Sequence, residues 1–188
     1  MPRKIMVLLG GAYHDFDGYQ KATVPLLTAA GYDPVPTYYQ EMLSTLDDSY
    51  DAIVVYTSLG GAKDPKGNQG VDLNAAQAAA LENYVASGGG LLGMHCATVM
   101  GESGSALHKL YGGRFIEPPP MFRFSVSPMR LPHPVTEGVE EFTVYDEFYI
   151  QDLTADSLVL MTAHDRGVCH PMVWVRAEGA GKVACIAP

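Results

Sequence analysis

A short apolar strand that runs directly into a histidine framed by small residues is the feature that most constrains this chain. Residues 88–98 read GGGLLGMHCAT, with His95 at the end of the apolar run. A sharp strand-to-helix turn holds its central side chain in a strained backbone conformation, so the positions two before and two after it must be small. Gly93 and Ala97 occupy these positions and fit. The sequence therefore predicts a tight turn that presents His95.

The neighbouring thiol does not fit the same frame. A turn centred on Cys96 would place Met94 and Thr98 at the two small positions, and both are too bulky. Some hydrolases carry their Ser or Cys nucleophile on such a strand-to-helix turn. This chain has a histidine at that position, which argues against acyl-enzyme chemistry. We interpret Cys96 as a buried structural thiol. A residual cysteine hydrolase that uses Cys96 is kept as a third functional hypothesis, after the two given below.

Length and composition are those of an ordinary globular protein. The chain has 188 residues, of which 47% are hydrophobic. At this length one domain buries about two-thirds of its unfolded surface without disulfides or metals, so we expect a single domain over residues 1–188. No apolar run approaches the roughly 20 residues that span a bilayer. The short apolar run at residues 5–9 is interpreted as the first strand and not as a signal peptide.

The charge balance is acidic. Lys and Arg number 12 against 21 Asp and Glu, which gives a formal net charge of −9. Without a basic cluster, such a chain is a poor partner for nucleic acid or for an anionic membrane surface. The three cysteines, Cys96, Cys169 and Cys185, form no CxxC pair. An odd number of cysteines without such a pair suits a reducing compartment, so we expect a cytoplasmic protein.

Apolar strands alternate with helical patterns in the first half of the chain. Strands are predicted at residues 4–9, 35–39, 50–56 and 91–94. Between them, Val24, Leu26 and Leu27 lie at helical spacing, and Asn74 with Gln77 has the capping-box spacing that begins a helix. Continuous apolar strands that alternate with helices are typical of a parallel sheet covered on both faces.

The second half alternates with the period of a strand. Residues 122–126 and 142–145 place apolar side chains at every second position, and residues 178–181 read EGAG between two further strands, as in a hairpin. We therefore expect an α/β protein with a mostly parallel sheet and an antiparallel C-terminal extension. The aromatic residues of the first of these strands, with the proline run at residues 118–120, are interpreted either as the edge of a homo-oligomer or as a lid over a pocket.

The carboxyl ends of the predicted parallel strands collect polar residues. His14 and Asp15 follow the first strand, Tyr56 and Ser58 end the third, and His95 ends the fourth. Open parallel sheets bind their ligands at this edge. We therefore expect these five side chains to line one pocket.

Seven short motifs are spread over nearly the whole chain. They are YDAIV at residues 50–54, GGGLLGMH at 88–95, LYGGRF at 110–115, HPVTEG at 133–138, DEFY at 146–149, PMVW at 171–174 and GAGKV at 179–183. No single motif is diagnostic, but their order and combination are specific. In these motifs the chain resembles the trehalose-utilisation (ThuA-like) family.

The resemblance implies a flavodoxin-like three-layer sandwich related to the class I glutamine amidotransferases. It places His95 where the glutaminase cysteine would lie, and it implies a loose link to sugar metabolism. Family members usually continue past the last strand with a Gly-His pair. This sequence ends at Pro188, where that pair would begin, so either the native chain continues or this member lacks that histidine.

His95 and Glu147 are the main catalytic candidates. Glu147 follows a predicted strand and lies among aromatic residues, where a carboxylate tends to have a raised pKa that suits acid–base chemistry or metal ligation. Strand alternation places Asp146 on the opposite face, which favours Glu147. We expect His95 to act as a general acid/base or a metal ligand, with Glu147 as its carboxylate partner. His14, Asp15, Tyr56 and Ser58 are expected to bind substrate.

The remaining histidines lack a metal-binding pattern. They are His108, His133, His164 and His170. They form no HxH or HExxH spacing, so we interpret them as surface, packing or turn residues. A divalent metal held by His95 and Glu147 is one option for the site, and its identity stays open.

Two functional hypotheses of different class follow. The leading one is a cytoplasmic enzyme that acts on a small-molecule sugar or sugar derivative by proton transfer, or by metal-assisted hydrolysis or isomerisation. The alternative is a non-catalytic carbohydrate-binding or regulatory domain on an amidotransferase-like scaffold. They differ in whether a bound sugar is turned over.

Overall fold

A computed structural model describes residues 3–60, 63–101, 104–117 and 121–188. The α-helices in these ranges are α1 (Phe16–Ala29), α2 (Ala75–Ala86) and α3 (Gly104–Tyr111). The strands are β1 (Arg3–Gly11), β2 (Tyr32–Thr37), β3 (Tyr50–Ser58), β4 (Gly90–Met94), β5 (Gly113–Glu117), β6 (Phe122–Pro128), β7 (Phe142–Asp146), β8 (Ile150–Leu153), β9 (Leu158–Asp165), β10 (Val168–Glu178) and β11 (Gly181–Ile186).

Nine of these strands form one mixed sheet, in the order β2-β1-β3-β4-β11-β10-β9-β6-β7. The first five strands of this order run parallel to one another. The last four continue the sheet with antiparallel pairings, and β10 and β11 form the predicted hairpin. Strands β5 and β8 make a separate antiparallel pair. The expected α/β fold with a parallel core and an antiparallel extension is confirmed.

Helices pack on both faces of β1. Met6 and Leu8 belong to a core cluster that also contains Leu81 of α2. Val7 and Leu9 belong to a second cluster, against which α1 packs. Because successive side chains of a strand point to opposite faces, a strand covered in this way must be apolar on both faces, as residues 5–9 of β1 are.

The capping box that begins α2 is confirmed: the Asn74 side chain accepts a hydrogen bond from the Gln77 amide, and the Gln77 side chain accepts one from the Asn74 amide.

The predicted position of the second strand is wrong by a few residues. Strand β2 begins at Tyr32 and includes Pro34 and Pro36, both paired in register with β1. An edge strand tolerates prolines because one of its sides needs no hydrogen-bond partner.

The apolar pattern of α1 is only partly used in packing. Leu27 packs against the cluster on its side of the sheet, whereas Leu26 is 71% exposed. Pro25 lies inside the helix and does not end it.

The aromatic residues of β6 belong to a core. β6 lies between β9 and β7, and Phe124 is buried against Phe148, with ring centroids 4.8 Å apart. Phe122 stacks on Phe148 from a centroid distance of 5.2 Å. Both rings thus pack against Phe148, and an oligomer edge or a lid formed by this strand stays a prediction. The proline run at residues 118–120 lies outside the described residues.

No helix in the described part of the chain is both long enough and apolar enough to cross a bilayer.

The turn after β4 has the strained geometry predicted for it. His95 begins a single 3₁₀ turn, His95–Thr98, and has a φ of +44°, in the left-handed region that non-glycine residues rarely adopt. A Cβ atom at Gly93 would lie 2.8 Å from the Tyr111 ring and 3.2 Å from Cys185 Sγ. A glycine is thus required two positions before His95, as the frame of small residues predicts.

We expect Gly93→Ala to lower the free energy of unfolding by about 1–3 kcal/mol, because the added methyl group overpacks the contact with Tyr111. Gly104→Ala is the matched control, since a Cβ atom there would meet its nearest neighbour at 3.9 Å, and its effect should stay within about 0.5 kcal/mol. Urea unfolding of both variants measures the difference. Equal effects would show that the contact at Gly93 does not constrain the turn.

Candidate functional site

Three side chains from distant parts of the chain converge at the carboxyl edge of the parallel strands. His14 comes from the loop between β1 and α1, His95 from the turn after β4, and Glu147 from the position directly after β7. Glu147 Oε2 lies 3.9 Å from His14 Nε2 and 3.9 Å from His95 Nε2. One potential ligand atom from each residue lies within 4.8 Å of the other two. The structure thus brings the candidate pair His95 and Glu147 together and adds His14 to it.

Backbone carbonyl groups orient both imidazole rings. His95 Nδ1 lies 2.7 Å from the carbonyl oxygen of Ala187, and His14 Nδ1 lies 3.0 Å from that of Ala12. A carbonyl oxygen only accepts hydrogen bonds, so each Nδ1 carries the proton and donates it. In the neutral rings each Nε2 is therefore the nitrogen that accepts, and both of these atoms lie 3.9 Å from the Glu147 carboxylate.

Tyr149 contacts both histidines. Its hydroxyl group donates a hydrogen bond to His14 Nε2 over 3.1 Å, and its ring stacks on His95 with centroids 4.3 Å apart. Burial, followed by the nearby charge of Glu147, raises the pKa of Tyr149 above its ordinary value. The phenol therefore remains protonated and is a donor. Sequence reasoning missed this residue, although it lies in the same DEFY motif as Glu147.

Aromatic rings form one wall of the cluster. Tyr56 meets the His14 ring edge-on at 5.9 Å, and Tyr19 stacks on Tyr56 at 4.1 Å. Burial raises the pKa of Tyr56, so this wall is uncharged at neutral pH. Tyr56 lies beside the cluster, as expected, and its role in substrate binding stays a prediction.

The cluster combines a buried imidazole with a carboxylate that solvent reaches. Burial lowers the pKa of His14, and the neighbouring His95 lowers it further, against the raising effects of the Ala12 carbonyl and Glu147. His14 is therefore neutral near pH 7. The Glu147 side chain is 37% exposed, compared with 12% for His14 and 10% for His95. A ligand from solvent can reach the histidines past Glu147.

Asp146 is closer to the cluster than strand alternation suggests. Its Oδ1 atom accepts a hydrogen bond from the Glu147 amide at 2.8 Å, and its charge raises the pKa of His14. The expectation that Asp146 faces away from the site rests on strand alternation, which does not extend to Glu147 because β7 ends at Asp146. Asp146 orients the segment that carries Glu147.

Asp15 and Ser58 have other structural roles. The Asp15 side chain is exposed and caps α1 by accepting a hydrogen bond from the Gly18 amide at 2.9 Å. Ser58 is buried at the end of β3, in register with Gly11. Substrate binding by either residue stays a prediction.

The remaining histidines and the thiols lie outside the cluster. His108 Nε2 donates to the carbonyl group of Asp152 at 2.9 Å, and His133 caps a short 3₁₀ turn. Cys96 is buried, and burial raises its pKa. A thiol in this state is a poor nucleophile, in agreement with the interpretation of Cys96 as structural.

Solved structures of similar fold include two ThuA-like proteins. One, from Bacteroides uniformis, has a TM-score of 0.73 and 17% identity, covering 99% of this chain and 82% of that one. The other, from Parabacteroides merdae, has a TM-score of 0.78 and 15% identity, covering 100% and 79%. A β-galactosidase from Bacillus circulans matches with a TM-score of 0.69 and 12% identity, over 98% of this chain and 28% of that one. At these identities the likeness shows the fold alone.

No curated protein matches the sequence significantly. The family model described as ThuA, trehalose utilisation, matches residues 14–188, a range that contains all three residues of the cluster. The chain therefore belongs to the ThuA, or trehalose utilisation, family.

Proposed function

We propose that this protein is an enzyme that performs acid–base or metal-assisted chemistry on a sugar or sugar derivative, without a cysteine nucleophile. The observation that carries the proposal is the convergence of His14, His95 and Glu147. Each histidine donates from Nδ1 to a backbone carbonyl group, so both Nε2 atoms face a carboxylate that solvent reaches. Two histidines and a carboxylate that converge from three separate segments at a sheet edge are suited to proton transfer or to metal binding.

Sugar as the substrate class rests on the family and on the position of the site. The family description is trehalose utilisation, and one structural neighbour is a β-galactosidase. The order β2-β1-β3-β4-β11 of the parallel strands supports a flavodoxin-like arrangement, in which ligands bind at the carboxyl edge. The cluster lies at this edge.

The donor set fits a divalent transition metal. Two neutral imidazoles and a carboxylate suit Zn²⁺, Mn²⁺ or Fe²⁺, and ligating histidines usually donate their other ring nitrogen to a carbonyl or carboxylate group, as both do here. The distances of 3.9 Å from Glu147 to each histidine exceed a hydrogen bond. Bound there, such an ion would polarise a substrate oxygen and lower the pKa of water.

The residues of this chain supply the proton chemistry. Glu147 Oε2 is an accessible base that can take a proton from a hydroxyl group or from a carbon next to a carbonyl group. His95 Nε2, which lies 3.9 Å from it, can accept or return a proton at a neighbouring substrate atom. Tyr149 can donate a hydrogen bond to an oxygen on which negative charge develops. This arrangement supports isomerisation or hydrolysis and does not need a covalent intermediate.

We expect Glu147→Gln and His95→Asn to reduce turnover of a responsive sugar by about 10²–10⁴-fold, because each removes a proton-transfer group. Asparagine is chosen at position 95 because it tolerates the left-handed backbone there. Both variants should also lose most of any metal that the wild-type protein retains, measured by elemental mass spectrometry. Product is followed by mass spectrometry over a panel of neutral and charged sugars.

His164→Ala is the matched control, since His164 is an exposed histidine of β9 outside the cluster. It should keep wild-type turnover and metal content. Full turnover in Glu147→Gln or His95→Asn, with melting temperatures near that of the wild type, would disprove the assignment. Sugar binding without turnover in the wild-type protein would favour a non-catalytic carbohydrate-binding domain.

The pKa of His14 predicts a loss of stability in acid. Burial lowers this pKa below its ordinary value of 6.5. As the pH falls below 6.5, the unfolded chain takes up a proton at His14 that the folded protein does not, so the free energy of unfolding decreases until the folded-state pKa is passed. Urea unfolding of metal-free protein between pH 8 and pH 5 should show a steeper decrease for wild type than for His14→Gln. Parallel curves would contradict the prediction.

The three cysteines support a reducing compartment, and we propose that the protein is cytoplasmic. Cys96, Cys169 and Cys185 are all free. Burial raises the pKa of both Cys96 and Cys185.

We expect iodoacetamide at neutral pH to label Cys169 and to leave Cys96 unmodified in the folded protein. Cys169 is exposed, whereas Cys96 is buried, and only an accessible thiolate reacts. Peptide mapping by mass spectrometry distinguishes the two, and labelling in urea provides the control for intrinsic reactivity. Labelling of Cys96 faster than Cys169 would restore the hypothesis of a cysteine hydrolase.

A further inference from the structure

A polar groove lies beside the cluster and is not used by the proposed chemistry. Its volume is about 550 Å³, and it is lined by residues of the β1–α1 loop, by Tyr38 and by residues of a loop at positions 64–68. His14 belongs both to the cluster and to the lining of the groove. A ligand in the groove would therefore extend to the proposed reaction centre.

Tyr13 is an exposed ring that is held in place at both ends. Its amide donates a hydrogen bond to Asp64 Oδ2 at 3.2 Å, and its hydroxyl group donates to the carbonyl group of Lys63 at 3.2 Å. Asp64 also accepts hydrogen bonds from the amides of Lys66 and Asn68, each at 2.8 Å. The ring nevertheless remains 62% exposed. Single exposed aromatic residues are common, but this one is fixed to an ordered loop.

The backbone at Tyr13 is strained as well. Its φ is +71°, a conformation that is unfavourable for a bulky residue and that clusters at functional sites. The strained residue directly precedes His14. Strain that holds an aromatic ring at the mouth of a groove, next to a residue of the cluster, indicates a preorganised binding surface.

The polar lining matches the hydroxyl groups of an uncharged sugar. Asp15 and Asp17 are exposed carboxylates, and Tyr38 donates a hydrogen bond to Asp17. Carboxylate oxygens accept hydrogen bonds from sugar hydroxyl groups, while an aromatic ring covers the apolar C–H face of a pyranose. Lys66 is the single cation among the groove-lining residues that the structure describes, against three aspartates. A phosphate or carboxylate group on the ligand would be repelled by this excess of negative charge.

Resting on the proposed function, we infer that this groove is the subsite for the part of the substrate that does not react. An uncharged sugar ring stacks on Tyr13 and donates hydrogen bonds to Asp15 and Asp17. Sugars that carry a phosphate or carboxylate group are rejected there. Tyr13 is thus a specificity-determining residue, and its contribution is to binding.

Calorimetric titration with trehalose and with trehalose 6-phosphate tests the inference. We expect the wild-type protein to bind trehalose at least tenfold more tightly than its 6-phosphate. Tyr13→Asn removes the ring but tolerates the left-handed backbone, and it should weaken trehalose binding on the order of tenfold. Tyr13→Phe keeps the ring and should stay within about threefold of wild type. Tyr39→Asn is the control, since Tyr39 is 72% exposed and does not line the groove.

A second variant tests whether the carboxylates of the groove cause the expected preference for uncharged sugars. Asp15→Asn removes a carboxylate but keeps a residue that caps helices well, so it should bring the affinities for the two sugars closer together without lowering the melting temperature. Wild-type binding of the 6-phosphate as tight as that of trehalose, no binding of either sugar, or unchanged binding in Tyr13→Asn would overturn the inference.

The binding and turnover measurements separate this inference from the proposed function. Unchanged trehalose binding in Tyr13→Asn, together with loss of turnover in Glu147→Gln, would disprove the subsite at Tyr13 and support the proposed enzymatic function. Trehalose binding that depends on Tyr13, without turnover of any sugar, would support the subsite and contradict the proposed enzymatic function.

Discussion

The hydrogen bond from His95 Nδ1 to the carbonyl group of Ala187 joins the turn after β4 to the residue that follows β11. These strands are parallel neighbours in the sheet, so the bond forms only when the last strand has been inserted beside the fourth. The same bond decides which nitrogen of His95 carries the proton. With Nδ1 as the donor, Nε2 keeps its lone pair and faces Glu147. The chemistry of the site therefore depends on the completed sheet.

The site lies where the parallel core meets the antiparallel extension. His14 and His95 follow strands of the core, whereas Glu147 and Tyr149 follow β7. A second link holds the two parts together: the Gln151 side chain donates to Thr98 Oγ1 at 3.1 Å, and Thr98 Oγ1 donates to the carbonyl group of His95 at 3.3 Å. The strained turn is thus anchored from β8, which carries Gln151, as well as from β11. This double attachment can keep a non-glycine residue in a left-handed conformation.

Local signals in the sequence predicted those parts of the structure that depend on local physics. The frame of Gly93 and Ala97 predicted the strained turn at His95, and the spacing of Asn74 and Gln77 predicted the start of α2. The first three residues of β2 were not predicted, since Pro34 is compatible with a strand only when that strand is known to lie at an edge. That knowledge comes from the order of strands in the sheet, which no local pattern contains.

The approach of His14 to Glu147 depends on long-range topology in the same way. The sequence placed each residue after a strand, and it placed both His14 and His95 at the carboxyl edge. It did not show that the segment after β7 returns to that edge, or that Tyr149 contacts both histidines. These contacts arise from the pairing of β6 with both β7 and β9, which brings the extension back beside the core.

Tyr149 links the two forms of chemistry that the cluster supports. Its hydroxyl group donates to His14 Nε2, so it uses the lone pair that His14 would need as a metal ligand. If the cluster held an ion, His14 could ligate it only after Tyr149 had released this bond, and the phenol proton would then be available to Glu147 or to an oxygen of the substrate. In the absence of an ion, the same bond keeps His14 from acting as a base and leaves His95 and Glu147 as the proton-transfer pair. Under the proposed function, His14 would therefore act through a metal, whereas His95 and Glu147 would act with or without one.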